Sequence, residues 1–167
     1  MEIMTITAAA ILSMYINAVQ DNNNVYYYNA DIENNQVVAE YVYNQTTVPS
    51  KSNDCVILKP KQKYDYSYDE ANRLVARVTS RWNGEDWQPA NRLEYEYTTD
   101  GYTMSLSRWD TQQQHFSEPI AKTVYAKTPY ENEPIASIST YVRQEGSNQL
   151  KLTDTITGIE GTDNSTI

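Results

Sequence analysis

The chain has 167 residues, a formal net charge of −9, and 15 Tyr and 3 Trp against a single Phe and 5 Gly. That length suits one domain, and the acidic balance argues against nucleic acid or anionic lipid as partners, since no basic cluster exceeds Lys59-Pro60-Lys61-Gln62-Lys63. A lone Cys55 cannot form an internal disulfide and has no metal-ligand spacing around it; a small buried strand residue in Cys55-Val56-Ile57-Leu58 is the expectation.

Residues 3–19 form an apolar stretch that ends in polar Gln20-Asp21-Asn22-Asn23-Asn24. It is short for a membrane span, which needs about 20 residues. It fits the apolar region of a signal peptide with Ala18 near the cleavage point, although Met1-Glu2 supplies no positive charge. A genuine N-terminal helix or strand is the other reading. The organisation expected is a signal peptide over 1–20, one all-β repeat domain over 21–157 and a flexible tail over 158–167. The mature chain is then exported, to the periplasm, the cell surface or the medium, with no membrane insertion of its own.

Past the leader, apolar and polar residues alternate with period two and turn signals recur, while no helical period is present. A mean hydropathy of −0.69 with a Tyr-rich composition suits half-wet sheet rather than a thick aliphatic core. Register follows from asking which pairing opposes like residues. A two-residue turn at Asn34-Asn35 sets Tyr26 against Tyr43, Tyr28 against Tyr41, Ala30 against Ala39 and Ile32 against Val37. Thr46 to Asp54 is a polar connector. A three-residue loop at Glu70-Ala71-Asn72, with Asn72 left-handed, sets Tyr68 against Leu74, Tyr66 against Ala76 and Tyr64 against Val78.

Four loop residues, Asn83 to Asp86, oppose Trp82 and Trp87, Ala76 and Leu93, and Leu74 and Tyr95. Asp100-Gly101 is the strongest hairpin signal; it opposes Tyr97 to Met104 and Tyr95 to Leu106. These turns join Tyr64, Tyr66, Tyr68, Leu74, Ala76, Val78, Leu93, Tyr95, Tyr97, Met104 and Leu106 into one apolar face. Lys63, Asp65, Ser67, Arg77, Arg81, Glu94 and Glu96 then fall on the other. Trp109 has the wrong parity for the apolar face, so either a bulge re-aims it or it lies with Phe116 on the back. Thr128 to Pro134 links a strand around Tyr125 to one around Ile138. A turn at Glu145-Gly146-Ser147 opposes Val142 to Leu150 and Thr140 to Leu152.

The fold expected is therefore all-β: an antiparallel up-and-down meander of about ten strands built from hairpins. It would be curled or two-layered so that its apolar face is covered, with a closed β-barrel as the alternative.

The phrase Lys63-Tyr64-Asp65-Tyr66-Ser67-Tyr68-Asp69-Glu70-Ala71-Asn72-Arg73-Leu74, followed by Ser80-Arg81-Trp82-Asn83 and Trp87, resembles an uncharacterised secreted family of gut Bacteroidetes. Its members carry a domain of unknown function, with Tyr-x-Tyr and Arg-Trp-Asp/Asn hairpins. The resemblance covers residues 61–127. More distantly, Tyr68-Asp69 and Arg73-Leu74 are similar to the Tyr-Asp repeats of large bacterial surface and toxin-shell proteins. Both likenesses imply export and an all-β repeat fold, and neither implies an activity.

No catalytic constellation emerges. His115 is the only histidine, in a polar stretch without a second ligand, and no phosphate loop or nucleophile elbow is present. The carboxylate pairs Asp69-Glu70, Glu85-Asp86 and Glu131 with Glu133 all fall at turn tips, where acids serve the backbone. A non-enzymatic chain with no metal and no cofactor is the expectation.

Binding residues are expected at the aromatic tips: Trp82 and Trp87 on one hairpin, Trp109 and Phe116 on another. Asn83, Gln88, Asn91, Asp110 and Gln112 to Gln114 could serve ligand hydroxyls there. The competing reading is that these rings only hold hairpin ends together. The partner expected is a glycan or an envelope protein. Two alternatives stand beside it: a carrier of a small apolar ligand inside a Tyr-lined barrel, and a homo-oligomeric assembly module pairing through the Tyr face.

Overall fold

The structure, a computed structural model, describes residues 26–48, 55–130 and 133–159. The expected leader over 1–20 lies outside them, as does the tail from residue 160. Ten strands and no helix are present among the described residues: β1 Tyr26–Glu33, β2 Gln36–Val48, β3 Cys55–Tyr68, β4 Leu74–Trp82, β5 Trp87–Thr98, β6 Gly101–Asp110, β7 His115–Phe116, β8 Ala121–Tyr130, β9 Glu133–Arg143 and β10 Leu150–Ile159. Thr46, expected to open a connector, instead lies within β2. Hydrogen bonding follows chain order, β1-β2-β3-β4-β5-β6-β8-β9-β10, with the short β7 attached to β6. Among the described residues β1 and β10 end this path without pairing to each other, so the meander is open and the closed-barrel alternative falls. Two compact units divide the chain, Met1–Asn91 and Arg92–Ile167, and β5 passes from one into the other.

In the first unit the turns form where the sequence places them. Asn34 and Asn35 both take positive φ, 49° and 63°, the mirror-image turn that suits strand twist, and Ile32 pairs with Val37. Asn72 is left-handed at 61°, and Tyr68 pairs with Leu74. Beyond each turn, however, one residue is left over. Val38 is extra between the Ile32–Val37 and Asp31–Ala39 pairs, Lys61 between Tyr43–Pro60 and Val42–Gln62, and Val75 between Tyr68–Leu74 and Ser67–Ala76. Such bulges displace every later pair by one.

Tyr28 therefore opposes Val42 rather than Tyr41, Ala30 opposes Glu40 rather than Ala39, and Tyr27 rather than Tyr26 opposes Tyr43. Tyr66 opposes Arg77, and Tyr64 opposes Thr79, in place of Ala76 and Val78.

The face assignment changes with the register. Alternation in β3 is unbroken from Gln62 onward, so Tyr64, Tyr66 and Tyr68 share one side as expected. They meet Glu40, Leu74, Arg77 and Thr79, and the Tyr68 hydroxyl reaches the Val37 carbonyl. The Arg77 guanidinium lies 5.2 Å from the Tyr64 ring centre, so this cation belongs to the Tyr face and not to its reverse. Ala76 and Val78 pair instead with Ser67 and Asp65. The buried set among the described residues of this unit is small and mixed: Val37, Ala39, Val42 and Leu74, with polar Glu40, Thr79 and Ser80. A division into one apolar and one charged face is thus replaced by two mixed faces.

In the second unit the hairpin tip is Thr99–Asp100, one residue before the expected Asp100-Gly101. Tyr97 then meets Tyr102, with ring centres 6.3 Å apart, rather than Met104. Gly101 is required for a different reason. It pairs with Ala126, and a Cβ at this position would run into the Tyr125 carbonyl of β8. Tyr102 pairs with Tyr125 and Tyr125 with Ile138, the strand partners expected around the Thr128 to Pro134 link.

The β9–β10 turn forms with Gly146 at φ 75° and the Ser147 amide donating to the Gln144 carbonyl at 3.1 Å. Its ladder also slips by one from expectation: Leu150 opposes Arg143 and Leu152 opposes Tyr141, and Thr153 is bulged beyond them. Gly158 and Ile159, expected in the tail, extend β10.

Candidate binding surfaces at the aromatic hairpin tips

The two tips are built alike. Trp82 ends β4 and Trp109 is next to last in β6, and each is followed by a residue whose side-chain oxygen holds the loop. Asn83 Oδ1 accepts the amides of Glu85 and Asp86, both at 2.8 Å. Asp110 Oδ1 accepts those of Gln112 and Gln113 at 2.9 and 3.0 Å. Short polar side chains favour such turns because their oxygens reach the backbone two or three residues on.

Across each loop the Trp meets its aromatic partner edge to face. Trp82 and Trp87 ring centres are 5.2 Å apart at 67°, and those of Trp109 and Phe116 are 4.9 Å apart at 71°. This is the favoured geometry for paired rings. Asn83 and Asp110, expected to face a ligand, are therefore loop caps. Asp69 and Asp86 act similarly: Asp69 Oδ1 accepts from Ala71 and Arg73, and Asp86 Oδ1 accepts from Trp87.

Cross-hairpin packing does not bury the rings. Trp82, Trp87, Trp109 and Phe116 are each half-buried. On the first unit the surface extends further. Tyr41, Lys63 and Ser80 are consecutive cross-strand partners on β2, β3 and β4, so they share a face. The Tyr41 ring reaches Trp87, with centres 6.1 Å apart, and Ser80 is buried in the same row. Polar groups flank this aromatic run. The Tyr41 hydroxyl donates to Asp31 Oδ2 at 3.0 Å, and Lys63 Nζ lies 2.7 Å from Asp65 Oδ1 and 5.6 Å from the Tyr41 ring centre. The Asp31 hydrogen bond raises the Tyr41 phenol above its ordinary pKa, and the Asp65 hydrogen bond raises Lys63. The surface thus offers a phenol, an ammonium and the carboxyl groups of Asp31 and Asp65.

Sequence reasoning missed Tyr41, Lys63 and Asp31 here. The β2–β3 register sets Tyr41 opposite Lys63 and so away from the Tyr face, and the Val75 bulge brings Trp82 to Tyr41's side. No period-two pattern signals either.

The second unit carries a patch of its own. Trp109 pairs with Phe116, and unbroken alternation in β6 sets Trp109 opposite the face of Met104 and Leu106. Of the two accounts left open for Trp109, joint placement on the back with Phe116 holds. Arg92 stacks its guanidinium 4.9 Å from the Phe116 ring centre and donates to Glu94 Oε2 at 2.8 Å. Its even parity in β5 was a usable signal. His115 begins the two-residue β7 and is exposed; Nε2 lies 2.6 Å from the Gln113 side-chain oxygen and Nδ1 lies 2.8 Å from the Phe116 carbonyl. Among the described residues no three His, Cys, Asp or Glu side chains gather as a metal site.

With this architecture in hand, comparison with known proteins decides the family. A family model described as a family of unknown function, DUF3836, matches residues 1–127. The chain belongs to that family. The solved structures it is similar to share the fold. A protein of unknown function from Bacteroides fragilis NCTC 9343 is 23% identical with a TM-score of 0.65, over 81% of this chain and 93% of that one. A DUF3836 family protein from Parabacteroides distasonis ATCC 8503 is 18% identical with a TM-score of 0.51, over 62% and 92%. No curated protein matches. The resemblance to an uncharacterised Bacteroidetes family thus stands.

Proposed function

We propose that this family member is an exported, non-enzymatic binding module that takes a glycan on the Tyr41–Trp87–Trp82 surface. The observation that carries the reading is the continuous half-exposed aromatic run of these three rings, bordered by Asp31, Lys63 and Asp65. Flat rings offer apolar faces to a sugar's C–H surface, while carboxylates and an ammonium accept and donate at its hydroxyls. The Trp109–Phe116–Arg92 patch is a second, independent contact of the same chemistry. Export rests on the signal-like character of residues 3–19.

The test is retention on a glycan array. Trp87→Ala combined with Tyr41→Ala is expected to weaken retention about tenfold or more, the cost of losing aromatic anchors, with an unchanged β-sheet circular dichroism spectrum. Retention that survives in a folded double variant sinks the glycan reading. N-terminal sequencing of the secreted chain tests export, and a mature protein still beginning at Met1 would contradict it.

A further inference from the structure

Edge strands leave a row of backbone groups without partners, and proteins usually blunt them with charge, proline or bulges. β10 is blunted only in its first half, up to Asp154. Lys151 lies there, and the Thr153 bulge follows, its hydroxyl donating to the Thr140 carbonyl at 3.0 Å. From Asp154 to Gly158 the strand is regular, free of proline and exposed on both faces. Pairing with β9 occupies one of its edges. Because β10 ends the strand order, its other edge carries no strand among the described residues.

Two features of this segment point to a second copy of the chain. The first is its symmetry. Thr155-Ile156-Thr157 reads the same in both directions, which suits an antiparallel pairing about a two-fold axis. The second is the row that ends there. Tyr97 contacts Tyr102, Tyr102 stacks on Tyr125 at 5.3 Å and 23°, Tyr125 pairs with Ile138, and Ile138 pairs with Ile156. This apolar ridge crosses five strands and grows more exposed toward the edge, with Ile138 at 42% and Ile156 at 63%. Tyr102 and Tyr125 cover each other's faces, so the ridge is a poor platform for a sugar ring.

We infer that β10 pairs antiparallel with β10 of a second copy about a two-fold axis through Ile156. The register sets Ile156 against Ile156, Thr155 against Thr157, and Asp154 against Gly158, each strand reciprocally. The ridge then continues across the axis as one apolar row. Thr–Thr pairs lie on the opposite face, where cross-strand hydroxyls favour each other. The charges agree with this register. Each Asp154 faces a glycine, and the two aspartates lie about 14 Å apart at the strand rise of ~3.4 Å per residue, beyond the ~8–10 Å screening length. Five residues per strand bury less than the roughly 1,000 Å² of a persistent interface, so the dimer is weak and depends on concentration.

Sedimentation of the full chain from about 10 μM to about 1 mM, the affinity window of such small interfaces, should show a monomer–dimer equilibrium. Ile156→Lys places two ammonium groups on the axis and should return the chain to monomer with its circular dichroism intact. Register is read separately by mild oxidation in a Cys55→Ser background. Ile156→Cys should yield a covalent dimer, and Asp154→Cys, facing Gly158, should not. A wild-type monomer throughout the range, a dimer unmoved by Ile156→Lys, or equal crosslinking from both cysteines would overturn the pairing.

Discussion

Tyr66 donates its hydroxyl to Glu40 Oε2 at 3.1 Å, reaching from β3 to β2. Glu40 is only 2% exposed, and its other oxygen has no partner. On its other flank the Val38 bulge sets Glu40 opposite Ala30, where the uninterrupted register would have put Ala39. Tyr68 donates beside it to the Val37 carbonyl at 2.9 Å, so the tyrosine row spans back to β2 through its hydroxyls.

Removing the donor leaves both Glu40 oxygens without a partner. Tyr66→Phe should therefore lower unfolding free energy by about 1–3 kcal/mol, the cost of an unsatisfied buried group. Replacing both members, Tyr66→Phe with Glu40→Leu, removes the uncompensated group and should recover most of that loss. Urea unfolding of the three proteins checks this; a double variant weaker than Tyr66→Phe alone would contradict it.

Alkaline pH acts on the same contact. Burial, then the Glu40 charge, pushes the Tyr66 phenol far above its ordinary value of 10.0. The folded state therefore holds its proton more tightly than the unfolded state. Stability from this group is complete below pH 10 and is lost as pH rises above it. Tyr28, Tyr41 and Tyr68 are raised too and act in the same direction. Unfolding midpoints should fall from about pH 10 upward, and less steeply in Tyr66→Phe.

Asp69 titrates the opposite way. Its bond from the Arg73 amide comes first among the effects holding its carboxyl below the ordinary 3.8, with the Arg73 side chain adding to it. The stability it contributes is present above pH 3.8 and disappears as pH falls through its lowered value. Asp69→Ala should lower the urea midpoint at pH 7, and the gap from wild type should close in strong acid. A gap that persists at the lowest pH would show that the loop does not depend on the carboxylate.

Gly101 and Gly158 form a matched pair of controls. A Cβ at Gly101 overlaps the Tyr125 backbone, whereas a Cβ at Gly158 meets nothing within 4 Å. Gly101→Ala should cost about 2 kcal/mol or more, as overpacking against fixed backbone does. Gly158→Ala should fall within about 0.5 kcal/mol of wild type. Thermal melts of both variants separate the steric account from a general loss of glycine.

Strand identity, hairpin order, the left-handed Asn34, Asn35 and Asn72 and the shared side of Tyr64, Tyr66 and Tyr68 all followed from the amino-acid order. Each depends on local chemistry: alternation within one strand, or the φ preference of a turn residue. The pairing of Trp82 with Trp87 across their loop belongs to the same class.

What sits opposite what, three or more residues from a turn, was decided by the folded sheet. Val38, Lys61, Val75 and Thr153 each add one residue to one side of a ladder. Close to a turn the expected partner is kept or missed by one, but past a bulge whole sets of side chains change company. Arg77 then joins the tyrosines, Glu40 is buried beneath them, and Tyr41 meets Trp87. A bulge is stable only when the strands on either side gain more from the shifted register than they lose at the unpaired residue. That balance is made by neighbours distant in the chain, so no window of sequence contains it.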